Sequence, residues 1–159
     1  MQTRATTPRS NRTAVVTGAT SGLGRAAALA LSKEGFHIIA VGRDQARGQE
    51  VVGEIHEAGG SAELVTGDLL TAAGTQAVAD EILSRTSAIH LLINNAGGAF
   101  NSDERTPDGL ERTFALNVLA PHVLTEALLE ALSAGEARVV NVVTAVPARA
   151  STSVAAIAG

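Results

Sequence analysis

The stretch TGATSGLGRA, Thr17 to Ala26, places Gly18, Gly22 and Gly24 where a short apolar run gives way to helical spacing. Glycine permits a tight turn and lets backbone N–H groups come close to a ligand. The N-terminus of the helix that follows adds the positive end of its dipole, so the chemistry on offer is capture of a pyrophosphate. Thr20, Ser21 and Leu23 belong to the same turn and are candidate contacts of the same group. The spacing is G-x-x-x-G-x-G, not the more familiar dinucleotide fingerprint, and taken alone it also reads as a glycine turn without a ligand. No Gly-Lys-Ser/Thr follows, which argues against a P-loop nucleotide triphosphatase.

A second candidate position ends the next apolar run, in AVGRD. A carboxylate there would accept hydrogen bonds from both adenosine ribose hydroxyls and select NAD(H). This chain has Gly42 and then Arg43. A 2′-phosphate would meet no repulsion at Gly42 and could pair bidentately with Arg43, so NADP(H) is favoured over NAD(H). The alternative is an Arg solvated in a loop. Asp68, with Leu69 in GDLL, can accept a hydrogen bond from an adenine amino group or can serve as a turn or cap residue; the sequence leaves both open.

The elements that must position these residues alternate. Strands are expected over Ala14–Val16, His37–Val41, Ala62–Thr66, His90–Ile93 and Arg138–Val143. Helices are expected after Gly22, over Ala46–Glu57 with Asp44 as N-cap, over Thr71–Ser84, and from Pro107–Asp108 to about Leu132. Gly35 sits where a helix C′ glycine belongs. Strand–helix alternation implies right-handed crossovers and a parallel, doubly wound α/β sheet covered on both faces.

Composition narrows the classes. The chain has 159 residues, 45% hydrophobic and 18% charged, with net charge −4 and no cysteine. Nothing in that balance points to nucleic acid or an anionic membrane, and thiolate metal sites and disulfides are excluded. His37, His56, His90 and His122 show no ligand spacing, so no metal is expected. No apolar run reaches the length of a membrane span, and residues 1–11 are polar, so a cytoplasmic protein with a disordered leader is expected.

Four motifs, TGATSGLG, NNAG (Asn94 to Gly97), FALNVLAP with Asn117, and RVVNV, stand in the order and spacing of the short-chain dehydrogenase/reductase family. The chain resembles that family from Arg12 to Thr144, and VGRD, HLLINNAG and TPDGLERTFALNVLAPHVLTEALLEAL look most like its retinol-dehydrogenase-like branch. The resemblance implies a three-layer Rossmann fold and hydride transfer between a nicotinamide and a carbonyl or secondary alcohol. It places Gly18, Gly22 and Gly24 at the pyrophosphate, Asp68 by the adenine, and Asn94, Ala96 and Gly97 along the cofactor cleft and sheet. Asn117 would be the helix Asn whose backbone carbonyl holds a water in the proton relay. Pro121 supports that role, because it has no N–H to give the Asn117 carbonyl. Thr144 matches the position of the family's catalytic Ser, with a methyl that restricts its rotamers.

The family's catalytic Tyr and the Lys one helical turn beyond it have no counterpart: the chain contains no Tyr, and its one Lys is Lys33. The resemblance therefore implies a sheet truncated to about five strands, with residues 12–159 forming an incomplete NAD(P)-binding domain that is catalytically silent alone. A small carbonyl or alcohol substrate would enter only if the domain were completed. An apolar fifth strand left at the sheet edge invites self-association. The alternative is a non-enzymatic NADP(H)-binding or partner-docking module. A methyltransferase-like domain is disfavoured by Gly42, where such sites want an acid.

Overall fold

The computed structural model describes residues 12–100 and 104–143. Five strands, β1 (Thr13–Thr17), β2 (His37–Gly42), β3 (Ser61–Thr66), β4 (Leu91–Asn94) and β5 (Arg138–Asn141), form one parallel sheet in the order β3-β2-β1-β4-β5. Helices α1 (Gly22–Lys33), α2 (Gln45–Glu57) and α3 (Ala72–Leu83) make the first crossovers. The chain then runs through a single turn α4 (Arg112–Phe114), a π-helical turn (Ala115–Leu119), α5 (Ala120–Ala127) and α6 (Leu129–Ala134).

Strand side chains alternate between two cores. Val15, Ile39, Val41 and Leu92 pack with α3, α5 and α6 through Val78, Ile82, Leu124 and Leu132. Ala14, Val16, Ile38 and Ala40 face the other way, onto Ala28 of α1 and Val51 and Ile55 of α2. All of β1 is buried, which is why its short run carries no polar–apolar alternation. At the far side, every residue of β5 is exposed, and Leu91 and Ile93 of β4 are only partly covered.

Helix ends follow local chemistry. α1 closes in a Schellman arrangement: Gly35 N–H donates to the Ser32 carbonyl and Phe36 N–H to the Leu31 carbonyl. The Asp44 carboxylate caps α2 by accepting from the Arg47 N–H at 3.0 Å.

The helix expected to open at Pro107–Asp108 opens later. Thr106 to Leu110 form a turn, closed by bonds from Gly109 N–H to the Thr106 carbonyl and from Thr106 N–H to the Leu110 carbonyl. Asp108 caps a different helix, accepting from the Ala72 N–H of α3 at 2.9 Å. Glu111 is the actual cap, its two carboxylate oxygens each 2.7 Å from the N–H of Thr113 or Phe114. Burial would raise the Glu111 carboxyl, but those backbone donors, the Thr113 hydroxyl and Arg105 hold it below its ordinary range. The fifth strand also ends earlier than Val143: ladder pairing stops at Asn141, with one further bond from Val142 N–H to the Asn94 carbonyl. Among the described residues, no helix is long and apolar enough to cross a membrane.

Candidate functional site: a cleft at the carboxyl ends of the strands

The strand order reverses between β1 and β4, and in open parallel sheets that switch point opens a crevice at the carboxyl ends of the strands. Here the crevice is a cleft of about 710 Å³. Its floor is the turn from β1 into α1, built from Gly18, Thr20, Ser21, Gly22 and Leu23. Gly18 and Gly22 hold φ of 65° and 53°, the left-handed region that favours glycine. Gly24 lies beneath the floor, buried, where a Cβ would collide with the Gly18 carbonyl and the Asn95 side-chain amide. A side chain at that position would push the turn away from the sheet.

The entrance to α1 is prepared for an anion. Its N-cap residue Ser21 is extended, with φ −159° and ψ 170°, and makes no side-chain capping bond. No acidic residue occupies the first turn. The first N–H groups of the helix therefore lack a side-chain acceptor and point to the cleft floor with the positive dipole end behind them.

Two residues that the sequence reading did not single out hold this floor to β4. The Thr17 hydroxyl, buried, accepts from the N–H groups of Asn95 and Ala96 at 3.0 and 2.9 Å. The Asn95 side-chain amide donates to the carbonyls of Thr17 and Gly18 at 3.0 and 3.3 Å. Their roles depend on which loops meet across the sheet, and no local pattern in the sequence carries that.

At the other rim, Gly42 and Arg43 line the cleft as their positions in the sequence suggest. Gly42 has an added reason to be glycine, since a Cβ there would strike the Thr20 methyl. An acidic side chain at this strand end would have to displace Thr20. Arg43 is exposed, and its side chain makes no ion pair or hydrogen bond with the described residues. Asp44 and Arg47 line the same rim, the latter also unforeseen.

The remaining candidates divide. Leu69, Ala96 and Gly97 line the cleft. Asp68 is not among its lining residues, and its carboxylate accepts from the Leu70 N–H at 3.0 Å, a local turn contact. Asn94 lies under the cleft, 6% exposed, with its amide donating to the Asn141 side-chain oxygen at 2.9 Å and to the Thr125 hydroxyl at 3.3 Å. Its own oxygen is buried without a partner among the described residues, beside a small cavity lined by Thr17, Leu116, Ala120 and Pro121. Asn117 stands in the π turn, and its side chain exchanges two bonds of 2.9 Å with the backbone of Gly98, fixing the loop after NNAG. Pro121 cannot supply the usual helical N–H to the Asn117 carbonyl. Thr144 lies outside the described residues. No group of three metal-ligating side chains occurs among the described residues.

Comparison with known proteins bears on this geometry. The short chain dehydrogenase family model matches residues 12–156. The mouse polyprenol dehydrogenase is 39% identical over 132 residues, a match covering 82% of this chain and 39% of that protein. Mouse retinol dehydrogenase 12 is 34% identical over 130 residues, covering 80% of this chain and 41% of the relative. The chain thus spans about two fifths of the length of these curated relatives. A metagenomic short-chain oxidoreductase, solved in complex with NADP, superimposes with TM-score 0.68 at 32% identity, over 76% of this chain and 56% of that one.

Proposed function

Because the chain belongs to the short-chain dehydrogenase family, with its relatives on the retinol-dehydrogenase-like side, we propose that the cleft holds NADP(H) in preference to NAD(H). In this reading the chain is the cofactor-binding part of an oxidoreductase acting on a carbonyl compound or secondary alcohol. The observation that carries it is the cleft floor: a glycine turn over an uncapped helix N-terminus, free of acid in its first turn. The residues fit such a group, since Gly24 lets the turn lie flat on the sheet and Arg43, without a side-chain partner among the described residues, stands at the rim.

When bound, the nicotinamide would supply the hydride chemistry. The chain's own residues would do the rest. Backbone N–H groups around Gly18, Gly22 and Leu23 would bind the pyrophosphate, with Thr20 and Ser21 beside them. Arg43 would pair with the 2′-phosphate, and Leu69, Ala96 and Gly97 would line the path across the sheet. Asp68 would reach the adenine only by giving up its bond to Leu70. Asn94, below the cleft, would hold β4 to β5. The Asn117 carbonyl would position a water, and Thr144 would offer a hydroxyl to the substrate oxygen.

Without a Tyr, and with its one Lys in α1, this polypeptide has no counterpart of the family's proton donor. A positioned proton donor contributes about 10²–10⁴-fold, so we expect binding without measurable turnover. The test is an NADPH fluorescence titration, with competition by adenosine 2′,5′-bisphosphate, alongside an NADPH-consumption assay on a carbonyl panel. Displaceable binding without consumption supports the reading; no binding overturns it, and turnover by the chain alone overturns its silent half.

A second reading, a nucleotide-binding module that docks a second copy of itself, is favoured by one feature. Among the described residues β5 pairs with β4 alone, and its Val139 and Val140 are exposed. An unpaired apolar edge is a ready template for an identical edge.

A further inference from the structure

We infer that the small cavity beneath the cleft is a binding site for one water molecule, held between the Asn94 side-chain oxygen and the backbone carbonyl of Leu116. The inference does not rest on the cofactor reading. Its first observation is Asn94, only 6% exposed. The amide nitrogen is fully used, by the Asn141 side-chain oxygen at 2.9 Å and the Thr125 hydroxyl at 3.3 Å. The amide oxygen is buried with no partner among the described residues. Turning the amide over does not help, because the nitrogen would then be the buried atom left unmet. Buried polar atoms in this position are ordinarily served by an ordered water.

The second observation is the π turn. In a regular helix the Leu116 carbonyl would accept from the Ala120 N–H. Here that N–H goes to the Ala115 carbonyl. The π alternative, one residue further on, is Pro121, which has no N–H. The Leu116 carbonyl therefore loses both of its regular helical donors. Asn94, Leu116, Ala120 and Pro121 all line the same cavity. It leaves about 10 Å³ to the centre of a water molecule, the lower end of what one water needs. A water has two hydrogens to donate, and the cavity presents two acceptors that lack donors. Asn117 is not among the walls, so the site is separate from the Asn117 carbonyl. The bridge joins β4 to the turn that carries Asn117, where Pro121 stops the helix from closing on itself.

Water–protein NOE and ROE spectra of the isotopically labelled chain read the site. The expected result is a cross-peak between water and the Ala120 methyl group, with the sign of a long-lived bound molecule. Pro121→Ala lets the turn close as a regular helix and returns an N–H donor to the Leu116 carbonyl, so the cross-peak should be lost. A cross-peak unchanged in a folded Pro121→Ala chain overturns the inference, because exchange relayed from the Thr17 hydroxyl would then account for it. No cross-peak in the unsubstituted chain overturns it as well.

A crystal structure of the unsubstituted chain is the second measurement and needs no variant to fold. Density within hydrogen-bond distance of both Asn94 Oδ1 and the Leu116 oxygen supports the site. An ordered cavity without such density overturns it. Failure of the chain to bind NADPH or NADH would overturn the cofactor reading and leave this site standing.

Discussion

At the scale of single residues, the cleft is held by atoms that never face it. Thr17 places one hydroxyl where two backbone N–H groups of the β4 loop reach it, that of Ala96 having no other acceptor among the described residues. Thr17→Val keeps the shape and removes the acceptor, leaving the Ala96 N–H unmet, while the Asn95 N–H keeps the Ile93 carbonyl at 3.1 Å. An unmet buried donor costs about 1–3 kcal/mol, so a stability loss of about that size in urea unfolding is expected, with weaker NADPH binding. Gly24→Ala tests the opposite error, an atom too many. Its methyl would meet the Gly18 carbonyl, at a cost of about 1–3 kcal/mol, and lift the turn, so NADPH affinity should fall at least tenfold. An unchanged affinity in a folded Gly24→Ala chain would contradict the close-approach argument. The glycines were legible in the sequence because backbone geometry admits few alternatives there. Thr17, Asn95 and Arg47 were not: the first two act across about 78 residues of chain, and the third looks like any surface arginine until the cleft rim is seen.

At the scale of elements, the helical segment after β4 departs most from its pattern. Apolar spacing from residue 107 to 132 reads as one helix, yet the chain makes a turn, a cap, a π turn and a boundary between α5 and α6 at Leu128. For the turn and the cap the reasons are local polar contacts that apolar periodicity does not register. Glu111 is not a usual N-cap residue, but its carboxylate serves two N–H groups at once. Its carboxyl is held below the ordinary value of 4.5, so the stability it lends is fully present above about that pH and is lost as pH falls through the lower folded value. Glu111→Ala should cost about 1 kcal/mol at neutral pH, the usual size of a lost cap, and the difference from the unsubstituted chain should shrink below pH 4.5. Chemical denaturation across that range measures it. Elements with ends set by Asp44 or Gly35 were readable, since those residues cap by type and position.

At the scale of the whole molecule, strand–helix alternation in the sequence already dictated a parallel sheet, and the order β3-β2-β1-β4-β5 places the switch point where the glycine turn opens. The exposure of β5 follows from the same order, because the strand pairs with β4 alone among the described residues. Val140→Lys puts a charge on that exposed strand and should lower any concentration-dependent association seen by sedimentation, without weakening NADPH binding. Equal association in both chains would remove β5 from the contact. The account as a whole stands on the cleft gripping a dinucleotide, and calorimetric titration of NADPH into the unsubstituted chain tests that most directly. The expected result is saturable heat at a single site, with NADH binding more weakly; the absence of heat with both nucleotides, from a chain shown to be folded, would contradict it.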